Sequence, residues 1–148
     1  IVNVIAPILT RGDEMLLQSL YDVFVMYATR RDGTALMPRV AGPGYESKNY
    51  GYVNSVDTSA ILGEEALHVF VTNRSQDESA AITLDAGGLG LQRVSSAEVI
   101  TGPGPQARNT FEQPGVVRAR TFKAVEVRDG EAQLSLPPLS VAALTFGF

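Results

Sequence analysis

The chain has 148 residues, 45% hydrophobic and 19% charged, with 12 Lys and Arg against 16 Asp and Glu for a formal net charge of −4. One domain of this length buries roughly 68–70% of its unfolded surface without staples; the apolar share excludes disorder, no apolar run approaches the ~18 residues of a membrane span, and the lack of a Lys/Arg cluster excludes nucleic acid as a partner. With no cysteine and His68 as the only histidine, disulfides, thiolate nucleophiles and multi-histidine metal sites are excluded, no cofactor is implied, and the lean is toward a cytoplasmic protein.

The run Ile1-Val2-Asn3-Val4-Ile5-Ala6-Pro7-Ile8-Leu9 is strongly apolar, with neither an initiator Met nor the basic region and cleavage site of a secretory signal. Over residues 16–31, Leu17, Tyr21, Phe24 and Ala28 are spaced four, three and four apart, and Leu20, Val23 and Tyr27 make a second apolar stripe. This spacing predicts a helix buried on more than one side. Such a helix needs several neighbours, and the strand-like sequence after residue 50 offers only one sheet face. Residues 1 to about 35 are therefore expected to be the last elements of a larger preceding domain.

Residues 37–52 shift to Pro, Gly, Tyr and Ser, with Pro38, Gly42, Pro43, Gly44 and Gly51, and read as a boundary loop. Beyond it, period-two alternation recurs between turn signals and predicts strands over 53–61, 67–72, 81–85, 91–101, 116–127, 133–136 and 139–146. Short strands at this spacing, with no helices between them, point to an antiparallel β-sandwich over 53–148. The fold class expected is thus mainly β.

Few residues suggest chemistry. His68 lies within a strand pattern on the face of Phe70 and Thr72, and no G-x-S-x-G supplies a nucleophilic serine, so a structural role is expected. Gly87, Gly88 and Gly90 fit no phosphate-binding pattern and read as a strand connection. Asn73-Arg74-Ser75 matches a glycosylation acceptor by chance. The carboxylate pairs Asp13-Glu14, Glu64-Glu65 and Asp77-Glu78 sit in polar turns, where solvated charge is expected rather than the acid and nucleophile of a glycosidase. Tyr45, Tyr50 and Tyr52 could stack on a sugar, but interdomain packing is the favoured use.

The runs Asn3-Val4-Ile5-Ala6-Pro7-Ile8-Leu9-Thr10, Tyr21-Asp22-Val23-Phe24-Val25-Met26-Tyr27 and Gly33-Thr34-Ala35-Leu36 resemble the end of the catalytic barrel in α-L-arabinofuranosidases of glycoside hydrolase family 51. In the same order, Asp57-Thr58-Ser59-Ala60, Leu67-His68-Val69-Phe70-Val71-Thr72-Asn73-Arg74, Thr101-Gly102-Pro103, Asn109-Thr110-Phe111-Glu112-Gln113-Pro114 and Leu136-Pro137-Pro138-Leu139-Ser140-Val141 resemble that family's carboxy-terminal sandwich. The resemblance covers essentially the whole chain.

It implies that residues 1–36 are the end of a (β/α)8 barrel, with its eighth strand over 4–10 and its eighth helix over 16–31, followed by a jelly-roll-like sandwich. The implied reaction is retaining hydrolysis of terminal α-L-arabinofuranosyl groups through a covalent glycosyl-enzyme intermediate. The two catalytic glutamates belong to earlier barrel strands, so none is expected in this chain. Barrel active sites lie at the carboxy-terminal ends of the strands, which makes Thr10 and Arg11 the candidates for the substrate rim. The implied partners are the amino-terminal barrel, an arabinose-containing saccharide and further copies in a homo-oligomer. A stand-alone carbohydrate-binding or interaction sandwich is the alternative, although the chain has no tryptophan for a sugar platform.

Overall fold

The computed structural model describes residues 6–148. The first element among the described residues is an antiparallel hairpin of β1 (Ile8–Arg11) and β2 (Glu14–Leu17), turned through Gly12-Asp13. Gly12 has φ +62° at the first central position, the conformation a tight hairpin turn asks of glycine. Helix α1 (Ser19–Ala28) follows, then β3 (Thr34–Leu36). Between them Gly33 passes against the Leu62 carbonyl, where a Cβ would collide. A second hairpin, β4 (Gly44–Ser47) with β5 (Gly51–Asn54), precedes the sandwich strands.

Those strands are β6 (Val56–Leu62), β7 (Ala66–Asn73), β8 (Ala80–Leu84), β9 (Arg93–Thr101), β10 (Arg118–Thr121), β11 (Val125–Arg128), β12 (Glu131–Leu136) and β13 (Ser140–Gly147). They form a six-stranded sheet, β10-β9-β13-β7-β6-β3, facing a three-stranded sheet, β11-β12-β8, and every pairing is antiparallel. The mainly β sandwich expected from the alternation is present.

Alternation explains the layers. In β12, Ala132, Leu134 and Leu136 are buried and Gln133 and Ser135 are exposed, so one face meets the core and the other water. Leu67, Val69 and Val71 of β7 and Ala142, Leu144 and Phe146 of β13 meet them from the larger sheet. The opposite face of that sheet is apolar too: Phe70, Ile100 and Ala143 pack with Met26 of α1. Val69-Phe70-Val71 are therefore all buried, each worth about 1.5–3 kcal/mol of burial.

Several element boundaries differ from the sequence expectation. The barrel strand expected over 4–10 begins at residues 4 and 5, outside the described residues; of its remainder, Ile8-Leu9-Thr10 pairs in the β1–β2 hairpin. Gly12-Asp13 between two apolar runs is the turn signal responsible, and β2 takes Leu16 and Leu17 from the helix expected over 16–31. The loop expected over 37–52 contains the β4–β5 hairpin, and β3 joins the sandwich sheet by pairing with β6. The strand expected over 116–127 is two: at Phe122-Lys123-Ala124 the chain leaves the six-stranded sheet for the three-stranded one. Phe122 is buried at this crossover, and its amide donates to the Ala97 carbonyl at 2.9 Å. Likewise 53–61 divides at Ser55, whose amide donates to Pro43 and whose carbonyl accepts from Arg74.

Candidate functional site

Helix α1 carries charge inward and apolar side chains outward. Asp22 and Met26 of α1 and Arg30 just past its end, four residues apart in turn, point at the large sheet and are all buried. The Asp22 carboxylate accepts from Arg118 Nε at 2.7 Å and from the Ala119 amide at 2.8 Å. Arg30 donates to Glu98 at 2.6 Å, to Ser96 at 3.3 Å and to Thr145 at 3.2 Å. Each buried charge is thus paired and hydrogen-bonded, as burial requires. Tyr27 stacks on Phe70 with centroids 3.8 Å apart. On the other side, Phe24 is 60% exposed and Leu20 and Val25 are exposed as well.

Thr10 and Arg11, the expected rim residues, are exposed at the end of β1, next to the hairpin turn. Arg11 Nε donates to Glu14 and its Nη1 to Glu112, both at 2.9 Å, while the guanidinium lies 4.3 Å from the centroid of the Phe111 ring. Below them Asn109, 3% exposed, donates to the Leu17 and Val117 carbonyls at 3.0 and 2.9 Å and accepts from the Val117 amide. The Asn109-Thr110-Phe111-Glu112 segment therefore grips the hairpin. Its distinctiveness is visible in the sequence, but its contact with residue 11 is not, because no local pattern links positions 101 residues apart.

Glu112 is no proton donor for glycoside cleavage. The Arg11 hydrogen bond keeps the Glu112 carboxyl below the usual carboxylate range, so it stays ionised at neutral pH. Asp13-Glu14, Glu64-Glu65 and Asp77-Glu78 are exposed and lie at three separate strand connections. Among the described residues no three His, Asp or Glu side chains gather as metal ligands, and no helix is long and apolar enough to cross a membrane.

The remaining candidates have structural places. His68 is half-buried on the α1 side of β7, with Nδ1 3.1 Å from Thr145 Oγ1; burial, then the Arg30 charge, pushes its pKa down. Asn73 is 1% exposed, its amide spent on the Glu78, Leu136 and Pro137 carbonyls, which closes it to a glycan. Gly87 opens a short 3-10 turn in a strand connection. Tyr45, Tyr50 and Tyr52 are exposed on the β4–β5 hairpin, but Tyr45 faces Val53 and Glu46 faces Tyr52, so Tyr45 and Tyr52 lie on opposite faces and build no common platform. A cavity of about 580 Å³ opens between segment 36–43, β8 and the core side of β6 and β7, where the smaller sheet stops short of the larger one.

Known proteins share this architecture. A profile of the α-L-arabinofuranosidase C-terminal domain matches residues 1–140. The chain is 30% identical over 146 residues to an intracellular exo-α-L-arabinofuranosidase of Bacteroides ovatus, covering 97% of this chain and 28% of that protein. It is also 30% identical over 142 residues to an intracellular exo-α-(1→5)-L-arabinofuranosidase of Streptomyces lividans, covering 95% of this chain and 22% of the relative. The crystal structure of the family 51 arabinofuranosidase from Xanthomonas axonopodis pv. citri superimposes with a TM-score of 0.88 at 31% identity, over 99% of this chain and 30% of that one. The chain spans less than a third of the length of these proteins. The strands before β13, the exposed helix face and the hairpin clamp fall within the matched region, and the chain belongs to the α-L-arabinofuranosidase C-terminal domain family.

Proposed function

We propose that this chain is the carboxy-terminal part of a retaining α-L-arabinofuranosidase and supports a (β/α)8 catalytic barrel supplied by the rest of the polypeptide. In this reading residues 1–36 complete the barrel and end in β3, which pairs into the sandwich sheet, 37–52 form the boundary and 53–148 make the rest of the sandwich. The observation that carries it is the inverted polarity of α1. A helix whose charged residues are satisfied by the sheet while Leu20, Phe24 and Val25 face outward has a second, apolar neighbour to meet. The barrel is that neighbour.

The acid/base and nucleophilic carboxylates belong to the barrel, where they cleave terminal non-reducing α-L-arabinofuranosyl groups from arabinose-containing saccharides by two displacements. This chain's share is to hold the barrel and to present Thr10 and Arg11 at the substrate rim. The enzyme works in the cytoplasm as a homo-oligomer; the names of the Bacteroides and Streptomyces relatives support the intracellular setting.

The test is hydrolysis of an aryl α-L-arabinofuranoside by the full-length polypeptide and by residues 1–148 alone. The full-length protein is expected to turn it over and the isolated chain to be inactive. Turnover by the isolated chain, or none by the full-length protein, would sink the proposal.

A further inference from the structure

We infer that the sandwich segment 109–114 sets the position of the β1–β2 hairpin tip, which makes Phe111 and Glu112 positioning residues for arabinofuranoside binding. This rests on the reading above that Thr10 and Arg11 line the sugar-binding rim.

Three ties reach the hairpin from this one segment. Asn109 holds the hairpin base through the Leu17 carbonyl at 3.0 Å, Glu112 holds Arg11 Nη1 at 2.9 Å, and the Phe111 ring lies under the guanidinium at 4.3 Å. The segment is itself braced. Asn109 exchanges hydrogen bonds with both backbone groups of Val117, and Thr110 and Gln113 exchange backbone bonds at 3.1 Å. A two-stranded hairpin of four-residue strands is marginal alone, and a free arginine samples many rotamers at a cost to binding. Glu14 fixes Arg11 only within the hairpin, whereas Phe111 and Glu112 fix it to the sandwich.

The clamp also shapes the chemistry offered to substrate. Glu14 and Glu112 offset the guanidinium charge, so the tip is no site for an anion. With Nε and Nη1 engaged, Nη2 makes no hydrogen bond among the described residues and is left as a donor. Sugar hydroxyls and ring oxygens accept such a bond, and its aim depends on the plane that Phe111 imposes. The sandwich then acts at the sugar through Arg11 without touching it.

In the full-length enzyme, Glu112→Gln, Arg11→Gln and the double variant would be compared for kcat and KM on an arabino-oligosaccharide, with Tm followed for each. Glu112→Gln is expected to raise KM about three- to five-fold, the size of an exposed ion pair, with little change in kcat or Tm. In the double variant KM should match that of Arg11→Gln alone, because Glu112 works through Arg11. An unchanged KM in Glu112→Gln, or effects that multiply in the double variant, would overturn the positioning role while the enzyme remains an arabinofuranosidase. A fall in Tm and kcat with KM unmoved would mark a purely structural tie, also against it. A wild-type enzyme without activity would instead remove the underlying reading, and the positioning role with it.

Discussion

Phe24 and Met26 are two positions apart in α1, yet the first is 60% exposed and the second 2%. The stripes of apolar residues were legible in the sequence, and so was their excess over what one sheet face needs. Which stripe meets the sheet was not legible. That is decided by Asp22 and Arg30, whose partners Arg118 and Glu98 lie 96 and 68 residues away. Read locally, Asp22 is a single acidic residue among the apolar stripes; in the fold its carboxylate accepts from the Ala119 amide of β10 and turns the helix around. In the isolated chain, Phe24→Ala is expected to cost under about 1 kcal/mol by urea denaturation, the usual range for a surface site. In the full-length enzyme the same change should cost about 3–5 kcal/mol, as for a buried ring. Equal costs in both would mean that this face is not where the barrel docks.

At the scale of elements, the join between α1 and the sheet is sensitive to protons. Thr145 Oγ1 accepts from Arg30 Nε and lies 3.1 Å from His68 Nδ1, so the imidazole and the guanidinium share one hydroxyl. Burial and the Arg30 charge lower the His68 pKa from its ordinary 6.5, against the smaller opposing charge of Asp32; Glu98 faces the same cluster through Arg30. The unfolded chain then binds a proton that the folded chain refuses. This part of the stability is whole above about pH 6.5 and is lost as the pH falls below it. Denaturation midpoints between about pH 7 and pH 5 should fall for the wild type and less steeply for His68→Gln; parallel curves would show that the imidazole is not the group responsible. Elements themselves were legible where alternation was clean, as in β7, β12 and β13. Boundaries failed at Gly12-Asp13, a hairpin turn hidden between two apolar runs, and at Phe122, where a change of sheet leaves the alternation looking continuous.

For the whole molecule, the six-against-three stacking makes the sandwich unequal from side to side. One side is closed by the chain passing between sheets at Phe122; the other, where β3 and β8 are edge strands, is bridged by segment 36–43 around the cavity. The sandwich architecture could be read from the spacing of strands and turns, but the unequal sheets could not, because strand order depends on pairings as distant as Val141 with Ile100 and Thr72. Amide exchange in the native state should release β3 and β8 well before β7 and β13, which are paired on both sides and buried on both faces. Comparable protection in β8 and β13 would contradict this. The Phe122 passage has the opposite effect on the large scale. A stretch of backbone shared by both layers couples their melting, so once the central strands let go the two sheets dissolve together, in a single calorimetric transition whose size is set by the entire sandwich.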